Sequence, residues 1–270
     1  MDRRAIGVFD SGLGGLTAVR ELRRCLPGED IVYFGDTGRV PYGPRGAETI
    51  QKYASQDSRF LLSHDVKMII AACGTVSSVA AEVLNGLPVP AIGVVTPAAA
   101  AAAAATKNHK IGVIGTAATI RSGAFQTYLQ NTSCEVFTQA CPLLVSLVES
   151  GWIEPEDPVV SLTLSRYLAP LIEQGIDTLI LGCTHFPLLA PAIRRLVGDE
   201  VTLIDTGKEA ALSCRALLKE QALLSPQTVG GNVRFFVSDR PEGFSAVANM
   251  FLGETVPHDI RQVDLESWGK

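Results

Sequence analysis

The sequence predicts an α/β fold of two pseudo-symmetric, doubly wound parallel-sheet domains that face each other across a cleft. Short runs rich in Ile and Val at every position alternate with segments of helical spacing, which is typical of strands buried on both faces of a parallel sheet. The same pattern recurs later in the chain: Ile6 to Ile111 is 105 residues, and Cys73 to Cys183 is 110. A repeat of this length indicates two copies of one domain.

Four apolar runs in the first copy predict strands, at residues 5–9, 31–35, 67–72 and 90–95. After Gly15, apolar residues recur every three to four positions as far as Leu26, which predicts a helix between the first two strands. The alanine run 98–105 follows Pro97, a favoured first helical residue. We expect it to form a weakly packing helix that leads into the second copy.

The second copy repeats the plan, with predicted strands at residues 110–116, 135–139, 178–183 and 201–205. A further strand is predicted at 234–239 in the remaining tail. We expect this tail to return and pack on the first copy. The predicted domains are therefore residues 1–97 plus 207–270, and residues 98–206.

Composition excludes several classes of function. The net charge is −5 and the 23 Lys and Arg residues are scattered, so nothing indicates a nucleic-acid surface. The start of the chain has no apolar segment typical of a signal peptide, because Asp10 interrupts it. The longest apolar run, 89–105, contains two prolines and is too short to span a bilayer. We expect a cytoplasmic protein that acts on a small molecule or contacts another protein, with no nucleic-acid or membrane partner.

Cysteine placement is the main chemical signal. Six cysteines and four histidines show no metal-ligand or disulfide-framework spacing. Cys73 and Cys183, however, each follow a predicted strand and precede a predicted helix, at matching places in the two copies. A lone cysteine there is usually a small core residue, whereas a matched pair at helix starts, which favour thiolate, indicates chemistry that needs two thiols. We interpret the other four cysteines as structural.

Polar residues follow the strands in both copies, where doubly wound sheets bind ligands. They are Asp10 with Ser11, Cys73 to Thr75, Thr116 to Thr119, and Cys183 to His185. If the two copies face each other, all four clusters meet in one cleft. Asp10 is either an activating carboxylate or an ordinary helix cap, and His185 is either a partner for the Cys183 thiol or a cap.

The glycine-rich stretch 9–19 does not match a dinucleotide-binding loop. Thr17 stands where the pattern G-x-G-x-x-G requires its last glycine, and no P-loop occurs in the sequence. We interpret the stretch as a turn whose N–H groups meet a carboxylate. The loop 39–46, rich in proline and glycine, can supply Tyr42 and Gly43 to a ligand.

Five motifs together resemble glutamate racemases of the aspartate/glutamate racemase superfamily. They are FDSGLGGLTAV, YFGDTGRVPYG, AACGT, GTAATIRSGAF and LGCTHFPLL, in the family's order from Ile6 to about Gly207. The resemblance implies a cofactor-independent racemase that supplies D-glutamate for peptidoglycan. It implies that Cys73 and Cys183 are catalytic with Asp10 and His185, and that substrate is bound by Asp10, Ser11, Tyr42, Gly43, Gly74, Thr75, Thr116, Thr119, Thr184 and His185.

The chain departs from the family at Gly74, where an asparagine that helps to hold substrate is usual. Loss of one hydrogen bond to a charged ligand weakens binding by about 1.5–3 kcal/mol unless another group replaces it. This leaves open a related activity on aspartate or a hydantoin. A catalytically inactive ligand-binding homologue is a second alternative, although the four predicted catalytic residues are all present. A nucleotide-dependent dehydrogenase is disfavoured by the broken glycine pattern.

The expected chemistry moves a proton at the substrate's Cα. In one direction the Cys73 thiolate removes this proton from one face while the Cys183 thiol donates a proton to the other face. The roles exchange in the reverse direction. Asp10 assists Cys73, and His185 assists Cys183. Because no lysine lies in a motif at a strand end, we expect no pyridoxal cofactor, and we expect no metal. We expect a homodimer.

Overall fold

The computed structural model describes residues 1–239, 241–253 and 260–265, with the side chains of residues 241–246 left out. The first part comprises β1 (Ile6–Asp10), α1 (Leu16–Cys25), β2 (Ile31–Gly35), α2 (Ala47–Leu62), β3 (Met68–Ala71), α3 (Gly74–Val79), α4 (Ala81–Asn85), β4 (Ala91–Gly93) and α5 (Val95–Ala105). The second comprises β5 (Lys110–Gly115), α6 (Ala117–Arg121), α7 (Ala124–Leu129), β6 (Glu135–Ala140), α8 (Pro142–Glu149), α9 (Pro158–Glu173), β7 (Thr178–Leu181), a 3-10 helix (Phe186–Leu189), α10 (Ala190–Val197) and β8 (Thr202–Asp205). The tail comprises α11 (Thr206–Glu220), β9 (Val233–Val237), α12 (Pro241–Leu252) and β10 (Ile260–Gln262).

The strands form two parallel sheets, as predicted. Among the described residues, the first has six strands in the order β10-β9-β2-β1-β3-β4, and the second has four in the order β6-β5-β7-β8. Without the tail strands, the two orders are the same: β1 lies between β2 and β3, as β5 lies between β6 and β7. Cys73 and Cys183 each lie two residues beyond the end of the equivalent strand in its own sheet. The repeat in the sequence is therefore a repeat of topology.

The tail contacts the first sheet. Strand β9 pairs with β2, with Phe235 opposite Tyr33, and β10 extends the same edge. Helix α11 packs against α1, and it also contacts α5 and β8. The expected domain boundaries at residues 97 and 207 stay a prediction, and part of 207–270 lies outside the described residues.

Local sequence accounts for several helix boundaries. Helix α1 buries Leu16, Val19 and Leu22 along one face, as the spacing predicts. Helices α9 and α11 begin after aspartates, Asp157 and Asp205, whose carboxylates accept hydrogen bonds from N–H groups of the first turn. These caps satisfy donors that have no partner inside the helix.

The alanine-rich helix α5 differs from expectation. It begins at Val95 rather than after Pro97. It is also not weakly packed, because Ala98, Ala99 and Ala102 are fully buried. It lies against α7 and α11, because side chains no larger than a methyl group let neighbouring helices approach closely. The largest hydrophobic cluster likewise combines residues of both sheets, so the two halves share a core.

Within the described residues no helix is long and apolar enough to cross a membrane.

Candidate active site

A cavity of about 420 Å³ lies where the carboxyl ends of the two sheets meet. Its walls contain residues that directly follow β1, β3, β5 and β7, so the predicted convergence of the four polar clusters is observed. The predicted residues in the lining are Ser11, Tyr42, Gly43, Cys73, Gly74, Thr75, Thr116, Cys183, Thr184 and His185. Asp10 and Thr119 are buried behind the lining.

Cys73 lies at the N-cap of α3, with 5% of its surface exposed. Its thiol donates to Ser11 Oγ over 3.4 Å. Burial raises the pKa of Cys73 to about 12, the Asp10 carboxylate adds to the rise, and the Ser11 hydroxyl opposes it. The expectation that the helix start favours a thiolate here is therefore wrong: desolvation outweighs the helix terminus, and Cys73 is a thiol at neutral pH.

Cys183 lies on the opposite wall with its own polar partner. His185 Nδ1 is 3.7 Å from Cys183 Sγ and 3.4 Å from Thr184 Oγ1. His185 Nε2 is 3.1 Å from a carboxylate oxygen of Glu149. Burial alone lowers the pKa of His185, but its hydrogen bonds with Cys183 and Glu149 raise it to about 10. The imidazole is therefore cationic near neutral pH and stabilises negative charge on the Cys183 sulfur.

Sequence reasoning missed Glu149, which lines the cavity from the end of α8. One signal was available in the sequence. Glu149 is a lone carboxylate at the C-terminus of an apolar helix, where the helix dipole disfavours negative charge. A residue placed against a local preference often serves a site. Val145 and Ser146 of the same helix also line the cavity and were missed.

Glu149→Gln is expected to move the alkaline limb of the activity profile to lower pH. The imidazolium form of His185 persists up to about pH 10 and is lost above it. Because the Glu149 side chain is 46% exposed and its ion pair is screened, we expect a shift of about 0.5–1 pH unit. The measurement is kcat/KM as a function of pH. Glu154→Gln, which removes an exposed carboxylate outside the cavity, is the control, and an unshifted alkaline limb in Glu149→Gln would contradict the assignment.

Asp10 lies under the glycine-rich turn, with 0% of its surface exposed. Its Oδ2 accepts a hydrogen bond from Gly12 N–H over 3.1 Å, so it is neither the N-cap of α1 nor a lining residue. Burial raises the pKa of Asp10, while the charge of His185 and nearby N–H groups oppose the rise. The negative charge of Asp10 contributes to the raised pKa of Cys73. That Asp10 contacts substrate and assists Cys73 stays a prediction.

Close approach explains a glycine in this turn. A Cβ on Gly14 would overlap Thr184 Oγ1 and would lie 2.6 Å from His185 Nδ1. Thr17 Oγ1 also donates to the Thr184 carbonyl oxygen over 3.0 Å. The turn therefore packs directly against the Cys183 loop of the other half, which is why a dinucleotide fingerprint is a poor description of it.

Three threonine hydroxyls form a chain across the cleft. Thr75 Oγ1 of the first half is 2.9 Å from Thr116 Oγ1 of the second, which in turn is 3.0 Å from Thr119 Oγ1. Thr75 and Thr116 line the cavity. Thr119 is buried and supports Thr116. That Thr119 also binds substrate stays a prediction.

The loop after β2 is held by a buried polar cluster, which we call the loop anchor: Asp36, Arg39, Tyr42 and Asp57. The Tyr42 hydroxyl donates to Asp36 and lies 3.2 Å from Asp57 Oδ2. Arg39 pairs with Asp36 at 2.6 Å and Asp57 at 2.8 Å. Tyr42 therefore fixes the loop through its hydroxyl while it lines the cavity beside Gly43. That Tyr42 and Gly43 bind substrate stays a prediction.

Tyr42→Phe is expected to lower the free energy of unfolding by about 1–3 kcal/mol, because it leaves the buried Asp57 Oδ2 without its hydroxyl donor and removes one of the two donors to Asp36 Oδ2. Urea unfolding at neutral pH measures the change. The matched control is Tyr53→Phe, which keeps the ring that packs 5.2 Å from that of Tyr42. Equal stability of Tyr42→Phe and the unaltered protein would show that the hydroxyl does not hold the loop.

Comparison with known proteins decides the family. A sequence model described as Asp/Glu/Hydantoin racemase matches residues 7–214. The chain belongs to this family. A curated glutamate racemase of Geobacter metallireducens is 46% identical over 270 residues, covering 99% of both chains. The resemblance inferred from the motifs is confirmed, and so is the prediction of an isomerase.

Solved structures of family members have the same fold. A glutamate racemase isoform of Bacillus anthracis superposes with a TM-score of 0.92 at 38% identity, covering 98% of this chain and 99% of that one. The glutamate racemase of Francisella tularensis, solved in complex with D-glutamate, superposes with a TM-score of 0.90 at 39% identity, covering 99% of this chain and 100% of that one.

Within the described part of this chain, no group of three His, Cys, Asp or Glu side chains could hold a metal ion.

Proposed function

We propose that the protein interconverts L- and D-glutamate without a cofactor, by removing a proton from one face of Cα and returning one to the other. The observation that carries this proposal is that Cys73 and Cys183, at equivalent positions of the two repeats, line the same cavity. Glutamate is supported by the names of the relatives and by the complex of the Francisella tularensis enzyme with D-glutamate.

The lining supplies groups suited to an amino acid. Hydroxyls of Ser11, Thr75 and Thr116 can donate to the α-carboxylate and stabilise charge that builds on it when Cα loses its proton. These groups line the same cavity as Cys73 and Cys183, with Ser11 and Thr75 contributed by the first half and Thr116 by the second.

The two thiols have different surroundings. The pKa of Cys73 is raised to about 12, so Cys73 takes the part of the proton donor, and Cys183, which lies beside the imidazolium of His185, takes the part of the base. This is the reverse of the order expected from the sequence. Each transfer leaves Cys73 as thiolate and Cys183 as thiol, which is the state that carries out the opposite reaction.

The biological setting follows from the same proposal. D-Glutamate made by this chain would supply peptidoglycan synthesis in the cytoplasm. We also propose a homodimer, which sedimentation velocity across a range of protein concentrations tests. A single species with the mass of one chain at every concentration would contradict it.

Proton NMR in D₂O tests the reaction and its substrate. We expect the Cα proton of L-glutamate to be replaced by deuterium while D-glutamate accumulates, and L-aspartate to react far more slowly. Exchange of aspartate but not of glutamate would support the same reaction on a different substrate, the aspartate racemisation that the change at Gly74 leaves open. No exchange with either would favour an inactive ligand-binding homologue.

A further inference from the structure

The two halves of the cleft meet in backbone contact at Gly74 and Gly182. Gly74 directly follows Cys73 and is the first residue of α3, whereas Gly182 directly precedes Cys183. A Cβ built on Gly74 would overlap the carbonyl oxygen of Gly182 and would lie 3.3 Å from its carbonyl carbon. The contact is therefore one residue away from each thiol.

The backbone of Gly74 does not itself require glycine. It opens a helix and is outside the set of glycines with positive φ. Alanine is favoured over glycine in helices, so a substitution without an obstacle would strengthen α3. The obstacle is the opposing carbonyl of the other half.

Neither partner in this contact can yield by a side-chain rotation. Gly182 N–H donates to the Ile114 carbonyl oxygen over 2.8 Å, which ties it to β5. The Gly74 carbonyl oxygen accepts from Ser78 Oγ over 2.7 Å within α3. To admit a Cβ, the two walls must separate by about 1 Å, given ordinary van der Waals separations of about 3.5 Å.

From this contact we infer that Gly74 is a positioning residue, whose missing side chain lets the two walls close until Cys73 and Cys183 stand at the separation that proton transfer requires. The inference rests on the proposed function. Closure also makes the hydrogen bonds that cross between the halves, from Thr75 to Thr116 and from Thr17 to Thr184.

Gly74→Ala and Gly74→Asn test this inference against the simpler explanation that the chain has lost a binding group. If closure matters, both variants lower kcat by about 100-fold, the expected cost of misplacing reacting groups by about 1 Å. If only a hydrogen bond is missing, Gly74→Asn restores it and kcat/KM rises. The control is Gly46→Ala, because a Cβ on Gly46 meets no atom within 4 Å.

The second readout is independent of turnover. Cys73 and Cys183 are 5% and 6% exposed, so separated walls should speed their alkylation by iodoacetamide several-fold, as followed by peptide mass spectrometry. Gly46→Ala should leave the alkylation rate unchanged. Faster alkylation with a melting temperature close to that of the unaltered protein separates opening of the cleft from general unfolding.

The outcomes distinguish the two proposals. If the unaltered chain does not racemise glutamate, the proposed function fails, and the alkylation rates still decide whether Gly74 controls closure. If it does racemise glutamate, a kcat of Gly74→Ala within about threefold of the unaltered value would overturn the inference alone, because displacing the reacting groups by about 1 Å should cost about 100-fold. A rise in kcat/KM for Gly74→Asn would overturn it as well.

Discussion

Cys73→Ser and Cys183→Ser are each expected to lower the rate of glutamate racemisation by about 10²–10⁴-fold, the usual contribution of a positioned acid or base. A serine hydroxyl is a far weaker acid than a thiol, so it neither accepts nor delivers the Cα proton at neutral pH. Conversion of L-glutamate, followed by circular dichroism, measures the loss. Cys134→Ser, which alters a cysteine outside the cavity, is the control.

The two serine variants should also differ from each other. Each keeps one thiol, which can still remove the proton from the enantiomer that presents it on that side. We therefore expect deuterium exchange without inversion for one enantiomer with Cys73→Ser, and for the other with Cys183→Ser. Exchange of the same enantiomer by both variants would contradict the placement of the thiols on opposite faces.

Lys67→Met is expected to lower the free energy of unfolding by about 3–5 kcal/mol, because it leaves a buried carboxylate without its cation. Lys67 Nζ lies 2.5 Å from Glu29 Oε2, and the two side chains are 0% and 3% exposed. The ammonium also donates to the carbonyl oxygens of Asp2 at 2.9 Å and Leu223 at 2.8 Å. It thus joins the start of the chain, the first sheet and the tail.

Urea unfolding measures this loss, and two further variants interpret it. Lys67→Met combined with Glu29→Gln should recover part of the stability, because the buried charge is then gone. Arg4→Met breaks the pair with Asp2, in which the Arg4 side chain is 42% exposed, and should cost no more than about 1 kcal/mol. A loss for Lys67→Met as small as that for Arg4→Met would contradict the role given to the buried pair.

The sequence was sufficient for the fold because its evidence was local and repeated. Runs rich in Ile and Val mark strands buried on both faces, and the similar offsets from Ile6 to Ile111 and from Cys73 to Cys183 mark two copies. The convergence of the strand ends on one cavity follows from parallel sheets facing each other. The packing of α5 did not follow, because alanine propensity predicts a helix but says nothing of how closely its neighbours approach.

The site was predictable in identity but less so in role. Residues that directly follow strands lie in the cavity lining together with Tyr42, whereas Asp10 and Thr119 are buried behind it. The direction of a side chain depends on partners distant in sequence, such as Asp57 for Tyr42. The raised pKa of Cys73 depends on burial by both halves, which no local pattern reports.

The isotope content of the first product tests the central claim most directly. L-Glutamate with protium at Cα is incubated with the unaltered enzyme in D₂O, and both enantiomers are isolated at low conversion for mass spectrometry. Because one thiol removes the proton and the other delivers one equilibrated with solvent, we predict D-glutamate that carries deuterium at Cα and recovered L-glutamate that keeps its protium. Product that retains the original protium would show one group carrying the proton across both faces, and would contradict the two-thiol account.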